Sequence, residues 1–167
     1  MSTLRRLAAN RAGSSAAEMA LVMPLLLVLM FGTFELGHYF LSEHAVQKAV
    51  RDAARYAGRL PLASYTGCPP NVADPALTKI QKVARTGLPD GTVQRLQGWS
   101  SDTMTTVTLT CTPTGTPYTG IYVAFPTGVP VVTVSASVPY PTLFGTLGIG
   151  LPSLQLNAVS QSAVYGA

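Results

Sequence analysis

The chain has 167 residues, of which 47% are hydrophobic and 11% charged, and its formal net charge is +4. Residues 1–13 hold three of the eleven basic residues and none of the seven acidic ones, so the rest of the chain has a net charge of 8 − 7 = +1. Proteins that bind nucleic acids concentrate positive charge on a surface, whereas residues 59–167 contain five basic and three acidic residues. The composition therefore argues against nucleic-acid binding.

The N-terminal segment combines a short basic leader with an apolar stretch of bilayer length. Residues 16–34 contain one charged residue, Glu18, and as a helix they nearly span a hydrocarbon core of about 30 Å. Pro24 is tolerated in such a helix and predicts a kink. By the positive-inside rule, the basic residues of the leader place the N-terminus in the cytoplasm; they are Arg5, Arg6 and Arg11. We expect a single-pass inner-membrane protein whose later residues lie outside the cytoplasm.

Three kinds of N-terminal segment share this pattern. A secretory signal peptide is excluded, because no small-x-small cleavage site follows the apolar run. A plain signal anchor has no need of Glu18, and a charge at the centre of a membrane helix costs about 2.5–3.5 kcal/mol. A type IV pilin-like leader ends in glycine and carries an acid at the fifth position of the mature chain. Gly13, Ser14 and Glu18 fit this third pattern, which we favour.

The helical pattern continues beyond the apolar segment. Residues 35–58 contain no proline, and apolar residues recur there at three- and four-residue spacing. Gly58 is expected just past the helix end, and Pro61 prevents continuation. One side of this outer half carries a stripe of small residues, which we expect to dock the chain's own domain rather than another subunit; they are Ala45, Ala49, Ala53, Ala54 and Ala57.

The remaining residues, 59–167, are enough for one small domain. Asp74 and Pro75 are expected to begin a helix that ends at Gly87. Four later segments favour strands, in part through alternation of apolar and polar residues; they are residues 92–97, 103–111, 129–138 and 154–164. The sequence predicts an α+β fold: a long transmembrane helix, then an exported domain with one further helix and an antiparallel sheet of about four strands. The predicted divisions are a leader (1–13), a long helix (14–58) and the exported domain (59–167).

Two connections are unusual in composition. Residues 112–128 are rich in Thr, Pro, Gly and Tyr, and residues 139–152 are apolar for a loop. An exposed apolar loop often marks a contact site. Residues 139–152 could instead fold over the sheet or lie on the membrane surface, and the sequence leaves these alternatives open.

The two cysteines, Cys68 and Cys111, allow a single intramolecular pairing, and a disulfide is the expected state after export. Closing this loop stabilises a domain by roughly 2–4 kcal/mol. Catalysis has little support: no histidine follows residue 59, and His38 and His44 are six positions apart, unlike a metal-binding pair on one helix face. We expect neither an enzyme nor a cofactor or metal site.

The N-terminal third resembles the start of a TadE-like protein of the tight-adherence (Flp) pilus system. The matching features are the basic leader to Gly13, the acid Glu18, the motif ALVMP at 20–24 with its leucine run, and the block AARYAG at 53–58. The resemblance implies cleavage between Gly13 and Ser14 by a prepilin peptidase. It also implies a pilin-like role in surface attachment. The implied partners are other pilin-like subunits, the inner-membrane assembly platform and the lipid bilayer.

We therefore interpret the chain as a non-enzymatic minor pilin-like component, or pseudopilin, of a Flp-type machine. After cleavage, Glu18 is the natural counter-charge for the new α-amine of Ser14, in the same chain or in an adjacent subunit, and it would set the axial register. One alternative is an unprocessed single-pass scaffold of the same complex. Another is an anchored domain that binds an extracellular ligand through residues 112–128.

Overall fold

The computed structural model describes residues 12–66, 71–112, 120–123, 128–146 and 154–166. The chain forms two compact units, Met1–His38 and Tyr39–Ala167. The helices and strands in chain order are α1 (Ala12–Arg59), β1 (Tyr65–Thr66), β2 (Asn71–Val72), α2 (Ala76–Thr86), β3 (Thr105–Thr112), β4 (Val129–Pro139), α3 (Leu143–Thr146) and β5 (Gln155–Ala163). The predicted α+β class, with one long apolar helix before a helix and an antiparallel sheet, is confirmed.

The main sheet has three antiparallel strands in the order β3–β4–β5. Thr105 lies opposite Ala136 at one end of the β3–β4 pair, and Val131 lies opposite Ala163 at one end of the β4–β5 pair. The two-residue strands β1 and β2 form a separate small hairpin. The sequence predicted about four strands in one sheet, so the strand count differs slightly.

The difference lies in residues 92–97, where the predicted strand is wrong. No strand is formed at these residues. In the structure Leu96 packs against the core while Val93 is 79% exposed. The segment is irregular and is fastened by Arg95, whose backbone N–H donates to the Arg85 carbonyl at 2.8 Å and whose guanidinium pairs with Asp52 at 2.9 Å.

The core of the second unit, Tyr39–Ala167, lies between the sheet and the C-terminal half of α1. On β4, every second residue from Pro130 to Val138 is buried, as period-2 alternation predicts. The small-residue stripe of α1 meets this face, and its members Ala49, Ala53, Ala54 and Ala57 are 0–1% exposed. The same cluster contains Ile80 and Val83 from α2 and the fully buried Trp99. The stripe therefore docks the chain's own domain, as expected.

Two predicted helix ends need correction. Gly58 was expected beyond the end of α1, but the helix includes it and ends at Arg59. A Cβ at Gly58 would lie 2.5 Å from Ser162 Oγ and 2.8 Å from the Ala163 carbonyl oxygen, so glycine serves here for close approach to β5. At α2, Pro75 and not Asp74 occupies the N-cap, while Asp74 accepts a hydrogen bond from the Thr78 hydroxyl at 3.3 Å.

The end of α2 is as predicted. Gly87 adopts φ 90°, a left-handed conformation that favours glycine, and its N–H donates to the Val83 carbonyl at 2.8 Å. A second ion pair, Arg85–Asp102 at 2.5 Å, joins the last turn of α2 to the turn before β3. Together with the Arg95–Asp52 pair it fixes the irregular connection between α2 and the sheet.

Candidate membrane-spanning and assembly site

The first part of α1 presents apolar side chains in all directions. Every residue from 15 to 34 is exposed, including Leu21 at 80% and Val28 at 68%. Exposed apolar surface on this scale is unstable in water and marks contact with lipid or with other proteins. By length and composition, α1 is the one helix in the described part of the chain that could cross a membrane.

The backbone of this segment is helical, which is the form that a membrane span requires. A helix pairs each backbone N–H with a carbonyl of its own segment, which is why helices can enter hydrocarbon. α1 continues through Pro24, which has no N–H to donate to the Ala20 carbonyl. Near the C-terminal end of the apolar stretch at 15–34, the Thr33 hydroxyl donates to the Met30 carbonyl at 2.7 Å, so this polar side chain has a hydrogen-bond partner within the helix.

Glu18 is the only charged residue in the exposed apolar stretch at 15–34. It lies in the second turn of α1, beside Ser15, Met19 and Val22. Gly13 and Ser14 belong to the first turn of the same helix. Residues four apart share a helix face, so the backbone places Glu18 one turn after Ser14 on the same side.

The other predicted site residues are placed as follows. The topology residues Arg5, Arg6 and Arg11 lie outside the described residues, as does Cys68. Cys111 lies on β3 opposite Pro130 and is not a free thiol. The Cys68–Cys111 disulfide stays a prediction. Most of residues 112–128 are also outside the described part, which retains the short turn Gly120–Tyr122 with Ile121 exposed.

An aromatic cluster that sequence reasoning missed lies at the start of the second unit, Tyr39–Ala167. The Tyr39 ring packs edge-on against Tyr140, with centroids 5.2 Å apart, and against Phe40 at 6.0 Å. Tyr140 directly follows β4. The two tyrosines are 101 positions apart (140 − 39), so only the tertiary fold brings them together.

A second tyrosine contact fixes the end of α1. Tyr65 is 3% exposed, and its hydroxyl donates to the Ala57 carbonyl. Burial, with a smaller contribution from Tyr56, raises the pKa of the Tyr65 phenol above its ordinary value. The phenol therefore remains protonated in the folded state and acts as a hydrogen-bond donor.

The charged side chains of the second unit bear on two features, possible metal-binding groups and surface hollows. No group of three His, Cys, Asp or Glu side chains among the described residues could hold a metal ion. A surface hollow of about 390 Å³ lies between the end of α1 and the start of α2, lined mainly by small and apolar residues together with Asp74 and Lys79. Among the described residues, its lining contains these two oppositely charged side chains and no histidine or cysteine.

The sequence model of the family described as TadE-like protein matches residues 13–55. This range contains Gly13, Ser14, Glu18 and the whole exposed apolar stretch. No curated protein matches the chain. No solved structure matches it either. The match confirms the resemblance that was drawn from the leader, Glu18 and the leucine run: residues 13–55 of this chain are similar to those of TadE-like proteins.

Proposed function

We propose that this chain is a minor pilin-like subunit, or pseudopilin, of a Flp/Tad-type pilus assembly and secretion machine that supports surface attachment. The observation that carries the proposal is the position of Glu18. It is a single acid in a fully exposed, bilayer-length apolar helix, one turn after Ser14. Such a helix inserts into the inner membrane and packs against other pilin-like helices, with the exported unit outside the cytoplasm.

The proposed cleavage explains why an acidic residue, Glu18, stands in the apolar helix. A prepilin peptidase cuts between Gly13 and Ser14, which removes the three arginines of the leader and leaves a cationic α-amine on Ser14. In the low-dielectric environment of packed helices an unpaired carboxylate is costly, and an opposite charge nearby offsets much of that cost. The Glu18 carboxylate therefore pairs with a Ser14 α-amine, in its own chain or in a neighbouring one, and so fixes the axial register between subunits.

The second unit, Tyr39–Ala167, is the part of the proposed subunit that is exported. The outer half of α1 belongs to the hydrophobic core of this unit through Val46, Ala49 and Val50. In this proposal, residues 15–34 contact lipid, other pilin-like helices and the assembly platform. The proposed subunit is a substrate of the peptidase and not itself an enzyme.

Processing is tested by intact mass and N-terminal sequencing of the chain isolated from membranes, with and without the peptidase. We expect a chain that starts at Ser14 when the peptidase is present and at Met1 when it is absent. A Gly13→Arg variant, which blocks the residue before the cut, should stay uncleaved in both strains. A wild-type chain that starts at Met1 in the presence of the peptidase contradicts the proposal.

The register role is tested with Glu18→Gln, which keeps the size of the side chain and removes its charge. Glu43→Gln, a matched change on the half-buried part of α1, serves as the control. We expect Glu18→Gln to remain carbonate-resistant in membranes but to be lost from the sheared pilus or assembly-complex fraction. The control should behave as wild type in both assays. Normal assembly of Glu18→Gln would show that the carboxylate does not set register.

The second candidate is an unprocessed, single-pass scaffold of the same complex. One observation favours it: α1 already begins at Ala12, so the Gly13–Ser14 bond lies within the helix of the uncleaved chain. A helical bond must unwind before a peptidase can bind it as an extended segment. A scaffold predicts that Met1 is retained and that the protein is found with the platform but not in sheared filaments, so the mass measurement separates the two candidates.

A further inference from the structure

The exposed residues in the C-terminal part of α1 lie on one narrow face of the helix and include no acid. Between residues 41 and 59, all of which the structure describes, six side chains are exposed and the others are buried or half-buried. The six follow one another at spacings of three, four, three, four and four residues, which keeps them within an arc of about 80° around the helix. We call them the exposed row; its members are Leu41, His44, Lys48, Arg51, Arg55 and Arg59.

The three central cations of the exposed row lie next to one another without a counter-charge. Lys48 and Arg51 are three positions apart, and Arg51 and Arg55 are four positions apart; at both spacings the side chains of a helix are neighbours. None of the three forms an ion pair with a described residue. Like charges at these spacings destabilise a helix, and alternating signs are typical of a helix face that meets water alone.

The two acids on this part of α1 have partners of their own. Glu43 and Asp52 are both half-buried. The Glu43 carboxylate accepts a hydrogen bond from Gln47 Nε2 at 3.2 Å, and Asp52 pairs with Arg95 at 2.9 Å. Asp52 lies four residues after Lys48, within reach of its ammonium group, yet its carboxylate is used to fasten residues 92–97. The exposed row therefore keeps its positive charge.

A second copy of this chain does not supply the missing negative charge. The α1 helix of a copy presents the same cations. The other acids of residues 39–167 lie singly, Asp74 before α2 and Asp90 and Asp102 after it, and Asp102 is already paired with Arg85. No helix in the described part of this unit thus carries acids at the spacing of the exposed row.

The shape of the exposed row favours a helical protein partner. The row extends about 27 Å along α1, and its alternating spacing of three and four residues is that at which the side chains of two packed helices interdigitate. It begins with an apolar residue, Leu41, which is 71% exposed and lies beside Phe40 at 51%. Protein interfaces combine apolar and charged contacts, whereas a nucleic-acid backbone is contacted by basic and polar groups.

We propose that the exposed row is a docking face for an acidic helix of a partner protein, one that carries Asp or Glu at three- and four-residue spacing. Lys48, Arg51 and Arg55 pair with these carboxylates, and Leu41 contacts an apolar residue at one end. The planar guanidinium groups of the two arginines bind carboxylates through two parallel hydrogen bonds. Complementary charges of this kind set the orientation and register of two helices. The inference goes beyond the proposed function and does not depend on it.

The test measures the binding of synthetic peptides to the full chain in a non-ionic detergent at low salt, by fluorescence anisotropy. The row-matched peptide is an alanine-rich helix that carries Leu and then Glu along one face at three- and four-residue spacing. A scrambled peptide has the same composition with its Glu residues spread around the helix, and inorganic polyphosphate is the third probe. The test variant combines Arg51→Glu with Arg55→Glu. The matched control combines Lys79→Glu with Lys82→Glu, which makes the same change in charge on α2.

We expect the row-matched peptide to bind wild type at least about tenfold more tightly than the scrambled peptide, because the two differ only in the placement of their charges. The double arginine variant should lose at least about tenfold in affinity, and the lysine control should stay within about twofold of wild type. A peptide with Lys in place of Glu should bind the double arginine variant and not wild type, which a misfolded chain would not do.

Three results would each overturn the proposal: equal affinity for the row-matched and scrambled peptides, tighter binding of polyphosphate than of either peptide, or an unchanged affinity of the double arginine variant. None of them alters the N-terminal mass of the wild-type chain, so failure here is distinguishable from failure of the proposed function.

Discussion

The close contact between α1 and β5 at Gly58 gives a quantitative prediction for Gly58→Ala. An added Cβ would lie 2.5 Å from Ser162 Oγ and 2.8 Å from the Ala163 carbonyl oxygen. The Ser162 hydroxyl can rotate away, but the Ala163 carbonyl belongs to the backbone of β5, so the strand end has to move. Overpacking of this kind typically costs about 1–3 kcal/mol, against a gain of up to about 1 kcal/mol from replacing a helical glycine by alanine.

Movement of the β5 end also strains the contacts that follow it. The Tyr165 N–H donates to the Gly58 carbonyl at 3.0 Å, and Arg59 Nε donates to the Tyr165 hydroxyl at 3.2 Å. Loss of one such hydrogen bond costs about 1 kcal/mol. We therefore expect a net destabilisation of about 1–3 kcal/mol, which for a unit of this size lowers the melting temperature by roughly 4–10 °C.

The assay is thermal unfolding of the full chain in detergent, followed by near-UV circular dichroism of the buried Trp99. Gly37→Ala is the matched control: it is also a glycine on α1, and no described atom lies within 4 Å of its added Cβ. Its melting temperature should be unchanged or slightly raised. In a Ser162→Ala background most of the loss at Gly58→Ala should persist, because the backbone contact remains. A Gly58→Ala chain as stable as Gly37→Ala would refute the close-approach explanation.

Two further predictions concern the same unit. Tyr65→Phe should cost about 1 kcal/mol at neutral pH by removing the hydrogen bond to the Ala57 carbonyl. Folding raises the pKa of Tyr65, so its contribution to the free energy of unfolding is fully present below the ordinary tyrosine pKa of about 10 and is lost as the pH rises above that value. Tyr65→Phe should therefore lose less stability than wild type at alkaline pH, which thermal melts at increasing pH measure. Val134→Ala should cost about 2 kcal/mol, since Val134 is fully buried on β4, whereas Val159→Ala on the exposed face of β5 should change stability by less than about 0.5 kcal/mol. Equal losses for the two valines in urea titrations would contradict the assigned faces of the sheet.

The local sequence predicted those structural features of the chain that depend on composition and on the periodicity of apolar residues. The apolar run at 15–34, the acid at Glu18 and the match to the TadE-like family are all properties of one continuous helical segment, whose pattern needs no distant partner. The alternation on β3 and β4 and the left-handed Gly87 are likewise local, because backbone geometry and a buried face constrain each residue in turn.

Other features depended on residues far apart in the chain, and only the tertiary structure decided them. Gly58 looked like a helix terminator, yet its function is set by the backbone of β5 about a hundred residues later. Residues 92–97 have strand-like composition, but their conformation follows from the ion pair with Asp52 and the core position of Leu96. The Tyr39–Tyr140 pair has no sequence signature at all. The periodicity of a helix or a strand can be recognised from neighbouring residues. Close backbone approach, ion pairs and ring packing depend instead on which surfaces the folded chain brings together.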